Sequence, residues 1–295
     1  MADVLIALAP AAVAAVVLFG LRALLIMAVC VGSAVVSELL FNIITKREQT
    51  VKDLSAAVTG LILALCLPAK TEIWQCVIGA VFAIIVVKCL FGGIGCNFAN
   101  PAATARVMLL VAFATSVGGG SETIFNSADL VAGATPLEAI KAGGDASTLP
   151  SLLDMLLGNR AGAIGETCVI ALIIGGIYLI ARKVIKWQMP VIYIATVFVL
   201  SLIIKQDITI ALYEILGGGL MIAAFFMITD YVTSPINLLG KMVFAFGCGL
   251  ITVLIRFFGT YPEGVSFAIL LMNILSPYIE KWCTKKPLGM GGKAK

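Results

Sequence analysis

The chain has no histidine at all, and only 12% of its 295 residues are charged. Without imidazole there is no His ligand for zinc or haem and no Ser-His or Cys-His nucleophile pair. The scarcity of charge excludes an ordinary soluble domain, where charged residues make up about a quarter of the chain. Eight cysteines are present, at positions 30, 66, 76, 89, 96, 168, 248 and 283, but none is paired in a C-x-x-C motif. Their spacing gives no cluster or zinc signature, and they read as small buried hydrophobes rather than a disulfide framework. The net charge of +4 is too slight to point to nucleic acid. No basic stretch precedes the first apolar run, so the chain from Val4 reads as a membrane span rather than a signal peptide.

Apolar residues are abundant. They make up 61% of the sequence, with a mean hydropathy of +1.11, which describes an all-α polytopic membrane protein. Apolar stretches fall at residues 4–20, 23–43, 54–68, 73–91, 100–116, 163–181, 190–204, 211–228, 240–258 and 264–279, predicting about ten transmembrane helices. Two of them, 54–68 and 190–204, are short: a 15-residue helix rises only about 22 Å. They are expected to borrow polar turns or to stop inside the bilayer, where a broken helix survives only under the cover of protein or a cavity.

Lysine and arginine set the orientation. With ten spans, one side holds 13 of the 20 basic residues: the clusters Lys46-Arg47-Lys52, Arg182-Lys183-Lys186 and the tail from Lys281 onward, with Lys88 and Lys241. Six lie on the other side and Arg106 sits within a span, so the richer side is assigned to the cytoplasm together with both termini. The longest loop, 117–162, is then external and acidic, and its length flags function or disorder. It divides the chain into a first membrane half (1–116) and a second (163–280), followed by a basic cytoplasmic tail (281–295). Five spans on each side of an external loop run with opposite sense, which predicts two inverted five-helix repeats of the transporter kind.

Three stretches could carry chemistry. In the external loop, Asp129 is followed by Gly133-Ala134-Thr135-Pro136-Leu137. A Thr-Pro pair is commonly a turn former, but small neighbours would also leave the Thr135 hydroxyl open on an extended strand, as a modifying enzyme needs. At the cytoplasmic end of the fifth span lies Gly92-Gly93-Ile94-Gly95-Cys96-Asn97-Phe98-Ala99-Asn100-Pro101. Asn100 can cap the next helix and Pro101 suits its first position. The stretch reads either as a plain interfacial turn or as a helix N-terminus facing a pocket. In the second case the amides of Asn97 and Asn100 would match the carbonyl and imide edge of a flavin. The third stretch is Thr229-Asp230-Tyr231-Val232-Thr233-Ser234-Pro235. Acids near the membrane are costly and therefore often functional, although Asp230 also reads as a turn acid held by neighbouring hydroxyls. Asp53 and Glu214 are acids of the same kind, while Glu38 reads as a snorkelling side chain.

Taken together, these stretches resemble the D subunit of the Rnf complex and, more distantly, the B subunit of the sodium-pumping NADH:quinone reductase. The likeness is carried in order by residues 2–10, Ala57-Val58-Thr59-Gly60 with Leu65-Cys66-Leu67-Pro68, 91–106, Gly133-Ala134-Thr135-Pro136-Leu137 and 226–235. It implies FMN esterified through its phosphate to Thr135, installed by a flavin transferase, with Asp129, Gly133 and Ala134 as the attachment motif. In this chain Ala132 stands where the family has Ser or Thr. The family also usually has a short cytoplasmic segment ahead of the Asp-Val-Leu-Ile-Ala stretch, and this sequence begins almost at it.

The resemblance further implies riboflavin near Asn97 and Asn100 and cation coupling at Asp53 and Asp230. It implies partner subunits carrying iron-sulfur clusters and flavin, and a place in the cell membrane. The expected function is a membrane flavoprotein subunit coupling ferredoxin:NAD electron transfer to Na+ or H+ translocation. The alternatives are a cofactor-free secondary transporter or channel on the same inverted repeat, and the equivalent quinone reductase subunit.

Overall fold

The computed structural model describes residues 1–124, 132–143 and 149–284. The described chain is overwhelmingly helical. A short antiparallel pairing of Gly120–Ser121 (β1) with Ala132–Gly133 (β2) is extended by a bridge from Ser121 to Gly162.

Helix α1, Ala2–Ile44, holds the first two apolar stretches. A straight helix of 43 residues would be about 65 Å long, twice the hydrocarbon thickness of a bilayer. The break comes at Gly20, whose φ of 67° lies in the left-handed region that glycine adopts without steric cost. Arg22, just past the break, donates to the carbonyls of Ala69 and Thr71 and ties this turn to the end of the third apolar stretch.

That third stretch forms α2, Ser55–Leu65, only 11 residues long and closed by Leu67-Pro68. It rises about 16 Å, too little to cross, and it is buried among other helices as a broken span must be. Then follow α3 (Ile73–Val81), continued by a π-helical segment, Phe82–Cys89, then α4 (Pro101–Ala112) and α5 (Ala114–Val117). The segment between the two sets of apolar helices contributes α6 (Pro136–Lys141) and α7 (Leu152–Leu157).

The second half contains α8 (Val169–Ala181), α9 (Gln188–Lys205), α10 (Ile208–Leu216) and α11 (Leu220–Ile222), the last continued by the π-helical Ala223–Met227. It ends with α12 (Leu238–Phe258) and α13 (Val265–Cys283). Three described helices, α1, α9 and α12, are long and apolar enough to cross a membrane, and α10 with α11 makes a fourth when counted across its 62° bend.

Of the two alternatives for 190–204, the helix takes the first, extending into its polar neighbours Gln188 and Lys205. Pro190 does not open a short helix but sits in the first turn of the 18-residue α9, where its missing N–H costs nothing. The interrupted element of the second half is instead 211–228, broken at Gly217-Gly218-Gly219. Gly218 and Gly219 adopt φ of 63° and 66°.

The halves interlock rather than stand apart: α1 packs on α8, and α4 packs on α13. At the first crossing Gly175 lies so close to α1 that a Cβ there would collide with the Ala7 carbonyl oxygen. Small residues permit this backbone approach, as between helices in lipid generally. Large apolar side chains on the outside, Leu21, Ile236 and Trp282 among them, are about four-fifths exposed and suit lipid or neighbouring subunits.

Candidate functional site

Helix α4 organises the polar interior. Its N-cap Asn100 accepts from the amides of Ala102 and Ala103 (3.0 and 3.1 Å), and Pro101 occupies the first helical position. Six residues on, about 9 Å along the axis, Arg106 is buried; it donates to the Val117 carbonyl (3.0 Å) and pairs with Glu263 at 3.3 Å. Both ends of α4 border cavities.

The outer cavity, about 440 Å³, is bordered by Lys70, Arg106, Gly119, Ala134, Glu138 and Tyr261 among others. Burial lowers the Lys70 pKa, and the nearby Glu138 carboxylate partly restores it. Thr135 sits beside this cavity, between Ala134 and Glu138. Its structural role differs from the open hydroxyl expected from sequence. Thr135 is only 3% exposed and is the N-cap of α6. Its Oγ accepts from the Glu138 amide (3.2 Å), and its own amide donates to Glu138 Oε2 (2.8 Å).

This is a capping box, and the turn expected at Thr135-Pro136 is its first half, completed by Glu138 three residues on. Capping uses a lone pair of Oγ and leaves the hydroxyl hydrogen free, so an ester oxygen at this position still caps. Gly133 pairs with Gly120 in the short sheet. Asp129 lies outside the described residues.

Leu137 carries the loop's position into the membrane half. It belongs to a small cluster with Ile140, Met155 and Tyr213, and it packs against the glycine break. A Cβ on Gly218 would overlap Leu137 Cδ1. Arg256 of α12 holds the other side of the break, donating to the Gly217 and Gly218 carbonyls and pairing with buried Glu214 at 2.8 Å.

The inner cavity, about 280 Å³, contains Lys88, Asn97, Asn100, Phe226 and Asp230 in its lining. Asn97 and Asn100 therefore do face one space, but they are not equivalent. Asn100 is more committed, since besides capping α4 its Nδ2 donates to the Met227 carbonyl (3.2 Å), leaving one N–H. The cap expected of Asn100 is thus present, and it takes up the Oδ1 of the amide. Asn97 Oδ1 is buried and has no protein partner, so Asn97 is the residue free to bind.

Asp230 is half-buried. Its carboxylate accepts from Thr233 Oγ (3.0 Å) and the Val232 amide (3.4 Å), while Ser234 Oγ bonds its backbone carbonyl. Burial raises its pKa, and the Thr233 hydroxyl opposes that shift. Thr229, expected beside it, bonds the Phe225 carbonyl instead.

Asp53 ends a 3₁₀ turn, is exposed, and is not among the inner cavity's lining residues. The structure therefore does not bring Asp53 and Asp230 together. The buried charged pair at this end of the described residues is Lys88 with Glu38 (2.7 Å), respectively 2% and 1% exposed, while Arg182 and Asp3 form a more exposed pair at 3.4 Å. Lys88 also donates to Ser55 Oγ. Glu38 is thus no snorkelling residue. Charges inside apolar stretches, Lys88 and Arg106, were the available sequence signal for these pairs.

A model of the NQR2, RnfD, RnfE family matches residues 1–289. The chain is 44% identical over 98% of its length to the D subunit of the Na(+)-translocating ferredoxin:NAD(+) oxidoreductase complex of Acetobacterium woodii, covering 90% of that protein. It is 40% identical over 95% of its length to the D subunit of the proton-translocating ferredoxin:NAD(+) oxidoreductase complex of Clostridium ljungdahlii, covering 88% of that protein. To the D subunit of the ion-translocating oxidoreductase complex of Stutzerimonas stutzeri it is 35% identical over its whole length, covering 93% of that protein. The chain therefore belongs to the NQR2, RnfD, RnfE family.

Proposed function

We propose that the chain is the membrane flavoprotein subunit of an ion-translocating oxidoreductase complex of the ferredoxin:NAD type, with FMN esterified to Thr135. The observation that carries this reading is the capped threonine beside a cavity of about 440 Å³, a volume within the range of small-molecule sites. The donor set fits the group. Lys70 and Arg106 offer cationic donors to a phosphodiester, and Tyr261 offers a ring face. When bound, FMN supplies the capacity to exchange electrons singly or in pairs, which no side chain of this sequence offers.

The residues of the chain hold that site in place. The Thr135–Glu138 box fixes the attachment point, and Leu137 seats it on the glycine break. The inner cavity, with Asn97 free to hydrogen-bond, suits riboflavin or another neutral ring. Asp230, and Asp53 on the exposed turn, are its ion-coupling acids. The relatives at 44% and 40% identity carry different ions in their names, sodium and proton, so the choice between them is expected to rest on a few acidic side chains. An interrupted helix in the third position of each half supports the inverted-repeat reading. Iron-sulfur and flavin subunits would complete the complex in the cell membrane, with the Thr135 loop external and both termini cytoplasmic.

In-gel flavin fluorescence of denatured membranes tests this reading. The wild-type band should fluoresce, and Thr135→Val should abolish the signal while the protein stays in the membrane. A dark wild-type band from native membranes would favour a cofactor-free transporter.

A further inference from the structure

Between the outer and inner cavities lies a smaller one, about 20 Å³, lined in part by Cys66, Arg106, Glu166, Gly219, Glu263 and Ser266. It has room for one water molecule or one small unhydrated cation. It shares Arg106 and Glu263 with the outer cavity, and Met227, whose carbonyl is held by Asn100, borders it on the inner side.

Glu166 is the unsatisfied acid here, beside Arg160 and Thr167, which also carry buried polar atoms without a partner. It is 5% exposed, its Oε1 has no protein partner, and its Oε2 lies against Gly219 of the broken helix. The surrounding cations are only partly engaged: Nε and Nη1 of buried Arg160 have no protein partner, so its charge faces Glu166 without a hydrogen bond between the two side chains. Arg160 spends Nη2 on the backbone carbonyls of Glu166 and Leu216 (3.0 and 2.7 Å), and Arg106 pairs with Glu263. Farther out, Arg256 is taken by Glu214. A carboxylate oxygen buried without a partner is costly, and either a proton or a bound cation removes that cost.

We infer that Glu166 is a cation-exchanging carboxylate, binding a proton or a sodium ion in this small cavity beside the glycine break. The inference rests on the reading of the chain as an ion-translocating subunit and gives it a central ion site, distinct from Asp53 and Asp230. Exchange balances as Glu166-COOH + Na+ giving Glu166-COO⁻ with bound Na+ and a released H+. Negative charge arising in the outer cavity acts on Glu166 across the Arg106–Glu263 pair and favours the occupied form. The charged groups facing Glu166 are Arg160 on its own segment, Arg106 on α4 and Glu263 ahead of α13, with the Cys66 thiol at the end of α2.

The test uses the intact complex purified from its host. Dicyclohexylcarbodiimide modifies buried protonated carboxyls, and the tryptic peptide 161–182 carries Glu166 as its sole acidic side chain. Labelling of that peptide that falls severalfold on adding sodium at fixed pH assigns a sodium site. Labelling that ignores sodium but falls as pH rises assigns a proton site. No label on this peptide at any pH overturns the inference.

Infrared difference spectra give a second readout. The protonated-carboxyl band lost on raising pH or sodium should be absent in Glu166→Gln and shifted in Glu166→Asp; its persistence in Glu166→Gln also overturns the inference. The Thr135 peptide from the same digest separates the two readings. A bare Thr135 with labelled Glu166 sinks the flavin alone, and an FMN-modified Thr135 with unlabelled Glu166 sinks the cation site alone.

Discussion

Arg106 Nη2 lies 3.3 Å from Glu263 Oε2, and the two side chains form one wall shared by the cavity beside Thr135 and the small cavity of Glu166. Charge on either side of that wall is felt on the other, because a buried guanidinium and its partner carboxylate lie in protein of low effective dielectric. Arg106→Lys should therefore disturb both spaces. A lysine cannot reproduce the fork that reaches Val117 and Glu263 together. Redox titration of the purified complex should show a shifted flavin midpoint, with the fluorescent band still present.

The glycine break is held from two sides, and each contact has its own signature. Gly218→Ala places a methyl group where Leu137 sits and forces a φ of 63° on a residue with a side chain. A cost of about 1–3 kcal/mol is expected from the backbone strain alone. Leu137→Ala in the same chain should relieve the clash but not the strain. Hydrogen exchange at α6 amides would resolve the two, with protection partly restored in the double variant.

Arg256→Met leaves Glu214 buried without its partner. Removing one member of a buried pair costs about 3–5 kcal/mol, so the melting temperature of the complex should fall sharply. Adding Glu214→Gln should recover much of it. Equal melting temperatures in the single and double variants would show that the carboxylate is not the source of the loss.

The two asparagines of the inner cavity should behave differently. Asn100→Ala removes a helix cap worth about 0.5–2 kcal/mol and also the strut to Met227, so it should lower stability. Asn97→Ala breaks no protein hydrogen bond at its side-chain carbonyl and should leave stability intact while lowering the content of non-covalent flavin after purification. Flavin extraction with thermal melting on the same preparations checks both.

Asp230 gives the stability of the fold a pH slope. Its folded pKa is raised by burial, so between the ordinary carboxylate value and the raised one the folded state binds more protons than the unfolded state. Stability contributed by this group therefore falls as pH rises through that window. Asp230→Asn keeps an acceptor for Thr233 and removes that slope. Melting curves against pH should be flatter in the variant, and reconstituted vesicles should transfer electrons with reduced ion uptake.

Much of the architecture was legible because apolar runs and helix caps are local. Each of the ten apolar stretches contains a described helix, although α8 begins only at Val169 within 163–181, and the 54–68 break was visible from its length and Pro68. The break at Gly217-Gly218-Gly219 was not, because glycine is common in membrane helices and only contacts with Leu137 and Arg256 give it meaning. Thr135 stands out by its motif, but its burial depends on Glu138 folding back over it, which the Thr-Pro pair alone does not reveal. The pairing of Glu38 with Lys88, 50 residues apart, and of Arg106 with Glu263, 157 apart, are tertiary facts. Sequence could place those charges inside apolar stretches but could not name their partners.

Peptide mass mapping across residues 117–160, on protein taken from its native host, tests the central claim most directly. The account requires a fragment heavier by one esterified FMN, with fragmentation assigning the added mass to Thr135. The same fragment recovered at its unmodified mass, with no flavin elsewhere on the chain, would contradict it.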